Sequence, residues 1–166
     1  MKVIGVDPGI GTTGVAVIEK TPGRPTARAV GVIRTPSNMP QSERLALLRA
    51  RFVELLERER PDAAAVERLF FNSNVKTAMA VGQASGVLLA TAAEMDVPVT
   101  TYTPLEVKQS VVGVGSADKK QVGVMVAALL GLKEPPRPAD AADACALAIC
   151  YLNRSGLRDA VKAASR

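Results

Sequence analysis

The sequence predicts an α/β fold built on a mixed sheet, and three features carry that prediction. The opening run of Val3, Ile4 and Val6 is close to continuously apolar, as strands buried on both faces are. A glycine-rich turn at residues 8–14 then returns the chain into a second apolar strand at 15–18. Finally, a helical pattern at 41–60 separates the opening strands from another short apolar run at 63–66. A crossover helix delivers a parallel strand in this way.

The elements follow in order. Pro8 cannot donate to a sheet ladder, and Gly9, Gly11 and Gly14 permit backbone angles closed to other residues. After a polar turn, residues 27–35 form a third strand, antiparallel to the second. In the helix at 41–60, Leu45, Leu48, Phe52, Leu55 and Leu56 line one stripe, and Pro61 ends it. The strand at 63–67 finishes on Glu67, and the loop at 68–75 contains Phe70 and Phe71. The helix at 77–94 is rich in small residues, with Gly82 and Gly86 four apart. A glycine costs about 1 kcal/mol against alanine in a helix, so close packing is expected there, either onto the protein's own sheet or across a subunit interface. Residues 97–102 supply the last strand and 104–110 a short helix carrying Lys108. A glycine-punctuated turn at 111–116 leads to a helix at 118–130 that opens with Asp118, Lys119 and Lys120. After a proline-rich loop, residues 139–151 form an alanine-dense helix. Residues 1–156 are expected to be one domain and 157–166 a polar tail that frays.

Composition narrows the chemistry. The chain has no histidine, which excludes Ser-His-Asp and Cys-His catalysis and every imidazole metal site. Any metal is expected on oxygen ligands, favouring magnesium or manganese over zinc. Lys and Arg number 21 against 16 Asp and Glu, a net charge of +5 that points to a polyanionic partner such as nucleic acid. Cys145 and Cys150 fall about 140° apart around a helix and are expected to be buried free thiols. No apolar run approaches the ~20 residues of a membrane span. The chain also opens on a strand, not a signal peptide. A soluble, cytoplasmic protein without membrane partners is expected.

Two strands end on acids, Asp7 and Glu67, and ligands in open α/β sheets gather beyond the carboxyl ends of parallel strands. Asp7 also suits a plain turn-capping role. Asp140 and Asp143 are three apart and share one face near a helix N-terminus, where they complement the helix dipole. The surrounding alanines, with Leu147, Ile149 and Leu152, mark that helix as packed on most sides, and buried carboxylates are costly unless neutralised. Four acids in one pocket would repel one another. Two magnesium ions about 4 Å apart would turn them into a clamp for in-line displacement at phosphorus.

Four blocks in order carry a resemblance over residues 1 to about 153. They are Gly5-Val6-Asp7-Pro8-Gly9, then Ala65-Val66-Glu67-Arg68-Leu69-Phe70, then Val107-Lys108-Gln109 through Gly113-Val114-Gly115-Ser116-Ala117-Asp118-Lys119, and last Pro138-Ala139-Asp140-Ala141-Ala142-Asp143-Ala144. On these the sequence resembles the RuvC family of Holliday junction resolvases. The resemblance implies an RNase H-like fold, a five-stranded mixed sheet of three antiparallel N-terminal strands plus parallel strands, flanked by helices and acting as a homodimer. It implies that Asp7, Glu67, Asp140 and Asp143 hold Mg2+, with Mn2+ as a substitute; some members carry histidine at the position matching Asp140. Lys119 would take part in cleavage, and Lys108 and Lys119 would contact DNA. Phe70 would stack on bases at the crossover, although core packing is the usual role of a phenylalanine. Arg68 and Lys76 would add phosphate contacts. The implied reaction is paired symmetric nicking of a four-way junction, leaving 5′-phosphate ends, in concert with the RuvA–RuvB branch-migration complex. Two other readings stand beside it. The first glycine turn also resembles the phosphate loop of the actin and sugar-kinase superfamily, which needs a second such domain. A junction-binding protein without catalysis, or a nuclease on another structured DNA or RNA, would share the same basic surface.

Overall fold

In the computed structural model the backbone is described over residues 1–68 and 75–164, and side chains over 1–68 and 78–155. Strands β1 (Lys2–Asp7), β2 (Thr12–Glu19) and β3 (Thr26–Arg34) form an antiparallel meander. Helix α1 (Gln41–Glu59) crosses over to β4 (Ala63–Glu67), which pairs parallel to β1. Helix α2 (Val75–Glu94) likewise delivers β5 (Val99–Tyr102) parallel to β4. Among the described residues the strands form one five-stranded sheet of order β3-β2-β1-β4-β5. Helices α3 (Pro104–Val112), α4 (Lys119–Leu130) and α5 (Ala139–Ala164) complete the chain.

Alternation along the strands divides the core. Ile4 and Val6 face α1 and α2 with Val15, Val17, Leu48, Phe52 and Leu88. Val3 and Ala65 face α3, α4 and α5 with Val107, Val126, Leu147 and Ile149. Leu147 and Ile149 are almost wholly buried, each worth about 1.5–3 kcal/mol of apolar transfer.

Helix α5 lies directly on the sheet. A Cβ at Gly5 would stand 1.9 Å from the carbonyl oxygen of Ala144, and one at Gly14 would stand 1.9 Å from that of Asp140. This corrects the expected role of the glycine turn. The glycines with positive φ are Gly23, Gly113 and Gly131, so Gly9, Gly11 and Gly14 adopt angles open to other residues. Gly14 is required for closeness and not for conformation.

Several elements run longer than expected. β2 begins at Thr12, and α5 continues to Ala164, into the stretch expected to be a polar tail. Both cysteines are free and buried, and burial pushes the Cys145 thiol up to about 12. Ala84, Leu88 and Ala92 turn α2 onto its own sheet, while Gly86 faces outward with nothing within 4 Å. Among the described residues, no helix is long and apolar enough to cross a membrane.

Candidate active site

The acids converge where the parallel strands end. Alternation sends Val3, Gly5 and Asp7 of β1, and Ala65 and Glu67 of β4, to the face that α5 covers. The parallel register matches Val6 with Val66, so the residues that follow them, Asp7 and Glu67, finish side by side. Their half-buried carboxyl groups share a hydrogen bond. Helix α5 carries Asp143 over them. Together Asp7, Glu67 and Asp143 line a cleft of about 120 Å³ with Pro104, Lys108 and Lys119. Asp140 stands one helical turn back, its main chain on Gly14, which is the register partner of Asp7. It does not line the cleft, but its charge reaches Asp7.

The electrostatics follow from this crowding. Burial, then the charges of Glu67, Asp143 and Asp140, push Asp7 from its ordinary 3.8 up to about 8. Burial also raises Glu67, although the hydrogen bond from Asp7 and the charge of Lys119 restrain it. Within the pair Asp7 is the donor of that hydrogen bond and Glu67 its acceptor. Lys119 Nζ donates to Asp143 Oδ2 at 2.8 Å, and that bond, with the nearby acids, raises the lysine.

Donor chemistry tests the fit of a metal. A carboxylate set without imidazole or thiol suits a hard divalent cation. Among the described residues no three such groups are already closed into a cage, and Lys119 engages Asp143. The set therefore fits a cation in charge and donor type. Its binding would replace the proton on Asp7 and the ammonium on Asp143.

The remaining predicted residues are placed unevenly. Lys108 is half-buried on the cleft wall. Arg68 is exposed just past Glu67, its guanidinium donating to Thr101 Oγ1 at 3.3 Å. Lys76 lies in the first turn of α2, its side chain outside the described residues, and Phe70 lies outside them altogether.

Sequence reading missed the braces of the loop beyond Asp7. Thr13 is wholly buried, and its hydroxyl donates to the Gly9 carbonyl at 2.6 Å. The Thr35 hydroxyl donates to the Ile10 carbonyl and accepts from Arg44 Nε at 2.9 Å. Thr13 is bound only four residues back, but no spacing in the sequence signals the contacts of Thr35. A larger groove of about 370 Å³ between β3 and α1 is lined by Arg34, Arg51, Glu54 and Arg58, but no acid cluster accompanies it. The clustered titratable groups point to the smaller cleft.

The sheet order, the acids at adjacent strand ends and the helix laid across them invite comparison with known proteins. The family model for crossover junction endodeoxyribonuclease RuvC matches residues 3–151. The chain belongs to the RuvC family. RuvC of Moorella thermoacetica is 52% identical over 151 residues, spanning 91% of this chain and 90% of that relative. Among solved structures, Thermus thermophilus RuvC matches with a TM-score of 0.87 at 40% identity, covering 95% of this chain and 96% of that one. T. thermophilus RuvC in complex with Holliday junction substrate also gives 0.87, at 37% identity and the same coverage. The five-stranded mixed sheet with flanking helices is the RNase H-like architecture expected of a RuvC-family chain.

Proposed function

We propose that this chain is a structure-specific endonuclease that resolves four-way DNA junctions by hydrolysing a phosphodiester in each of two opposed strands. The observation that carries the reading is the shared cleft of Asp7, Glu67 and Asp143, walled by Lys108 and Lys119. Lysines reach toward phosphates, and clustered carboxylates recruit the divalent ions that phosphoryl chemistry uses. Asp7, Glu67, Asp143 and Asp140 are the residues that would hold Mg2+, two ions to a site, with Mn2+ as a substitute. Once bound, Mg2+ supplies positive charge at the cleaved phosphodiester and acidifies the attacking water.

The chain's own groups do the rest. Lys108 fixes a strand phosphate at the cleft wall, and Lys119, released from Asp143, turns to the phosphodiester as charge builds on its oxygens. Arg68 and Lys76 extend the basic track, and Phe70 stacks on bases opened at the crossover. Products end in 5′-phosphate and 3′-hydroxyl groups, ready for ligation. A homodimer supplies the twofold pair of clefts that a twofold junction needs. The RuvA–RuvB complex is its partner in branch migration, in the cytoplasm. Residues 1–156 are the nuclease domain and the remainder its C-terminal extension.

A synthetic four-way junction and a matched linear duplex, each with and without Mg2+, test this reading. Nicks confined to the junction and dependent on the ion are expected. Equal cutting of the duplex, or cutting in chelator, would refute it.

A further inference from the structure

Lys108 sits mid-way along α3, so whatever fixes α3 fixes that lysine. The inner side of α3 is apolar, Val107 and Val111 packing into the core, and apolar packing alone leaves a short helix free to slide and roll. Polar contacts from α5 remove that freedom. Arg154 Nη1 donates to Glu106 Oε1 at 2.8 Å, and its guanidinium lies 5.6 Å from the centre of the Tyr102 ring. The other oxygen of Glu106 accepts from Thr103 N at 2.9 Å and Thr103 Oγ1 at 3.0 Å, closing the capping box that starts the helix. One residue earlier on α5, Asn153 Nδ2 donates to the Ser110 carbonyl at 3.1 Å. Glu106 and Ser110 lie two residues either side of Lys108, so α3 is held on both sides of it.

The same stretch of α5 reaches the acids. Asp143, Leu147, Cys150 and Arg154 recur at helical spacing, and eleven residues from Asp143 to Arg154 place both on one face about 16 Å apart. Asp143 and Leu147 line the cleft, and Cys150 Sγ approaches the Glu106 carbonyl at 3.8 Å. Tyr102, under the guanidinium, is the register partner of Glu67. A single helix thus presents an acid to the cleft at one end and grips the lysine-bearing helix at the other.

From this geometry we infer that Arg154, supported by Asn153, is a positioning residue that sets Lys108 against the acids through Glu106. The inference rests on Lys108 contacting the cleaved strand, as proposed above. Neither Arg154 nor Asn153 touches the reacting atoms. Their removal frees α3 to shift while the core stays packed.

The test is a double-mutant cycle on single-turnover junction cleavage with Arg154→Ala, Lys108→Ala and the pair, in the full chain. The ion pair is about one-third exposed on each side, so folding should survive, with Tm falling by no more than about 3 °C. Arg154→Ala is expected to slow cleavage about fivefold when Lys108 is present and to add nothing once Lys108 is gone. Arg154→Lys, which keeps the pairing with Glu106, should restore most of the rate. A purely structural role would lower the rate by the same factor in both backgrounds, and that result overturns the inference. An unaltered rate for Arg154→Ala also overturns it. If Lys108→Ala itself leaves cleavage unchanged, the phosphate role of Lys108 fails and the inference falls with it. If instead Lys108→Ala slows cleavage and the effects multiply, only the inference fails. Should Arg154→Ala not fold, Glu106→Gln, which keeps the Thr103 cap but not the charge, must show the same dependence on Lys108 or the inference is lost.

Discussion

Replacing Asp7 with asparagine should make the protein more stable and catalytically dead. Asp7 is held at about 8 against an ordinary 3.8, a difference equivalent to about 6 kcal/mol if the group titrated alone. Asp7 and Glu67 titrate together and both are only half-buried, so about 2–3 kcal/mol is the share expected for one substitution. The folded-state pKa lies above the unfolded one. The stabilising contribution of the neutral Asp7 is therefore fully present below about pH 3.8 and is lost as pH rises through about 8. Asparagine stays neutral throughout and can still donate to Glu67. In chelator at pH 8, Asp7→Asn should raise Tm by about 5–10 °C, at 2–4 °C per kcal/mol for a domain of this size. Near pH 4 the two proteins should melt within about 2 °C of each other. Mg2+ should narrow the gap at pH 8 by stabilising the wild type selectively. Melting followed by circular dichroism over pH 4–8 makes the measurement, with junction cleavage assayed beside it. An asparagine variant that melts at or below wild type at pH 8, or a gain that ignores pH, would refute the account of a crowded, mutually repelling acid cluster. Cleavage at the wild-type rate would remove Asp7 from the site.

Other substitutions probe the supports. Gly14→Ala should cost on the order of 3–5 kcal/mol, because its Cβ would enter the Asp140 main chain; a Tm within about 3 °C of wild type would disprove the close contact. Lys119→Ala should slow single-turnover cleavage about 100-fold while junction affinity changes little, and a loss confined to affinity would make Lys119 only a DNA contact. Gly86→Leu meets open space in the monomer, so its Tm should hold while self-association weakens; sedimentation as an unchanged dimer would take this face of α2 out of the interface. Phe70→Ala should impair cutting more than binding, and unaltered single-turnover rates would contradict its stacking role.

Much of this was legible in the chain because it is written locally. Apolar runs ending on Asp7 and Glu67, the stripe of α1 and the alanine-dense start of α5 fix strand, crossover and helix by short-range pattern. The parallel register sets Asp7 beside Glu67, and the packing of α5 on the sheet brings Asp143 to the same cleft. The unread part is tertiary. Nothing near Gly14 in sequence says that residue 140 will press on it, so its glycine was credited to turn conformation. Asn153 and Arg154 carry no local sign of their role because their partners, Ser110 and Glu106, are more than forty residues away. Thr35 and Arg44 are likewise ordinary residues in sequence, and only the folded loop shows what they brace.

The bare contact of α5 with Gly5 and Gly14 carries one last consequence. Because main chain meets main chain there, the approach of α5 to β1 and β2 leaves no room for a side chain at either glycine. That approach is gauged by the peptide units themselves. A side chain at either position would lift the helix, and Asp143 with it, off the strand ends that carry Asp7 and Glu67.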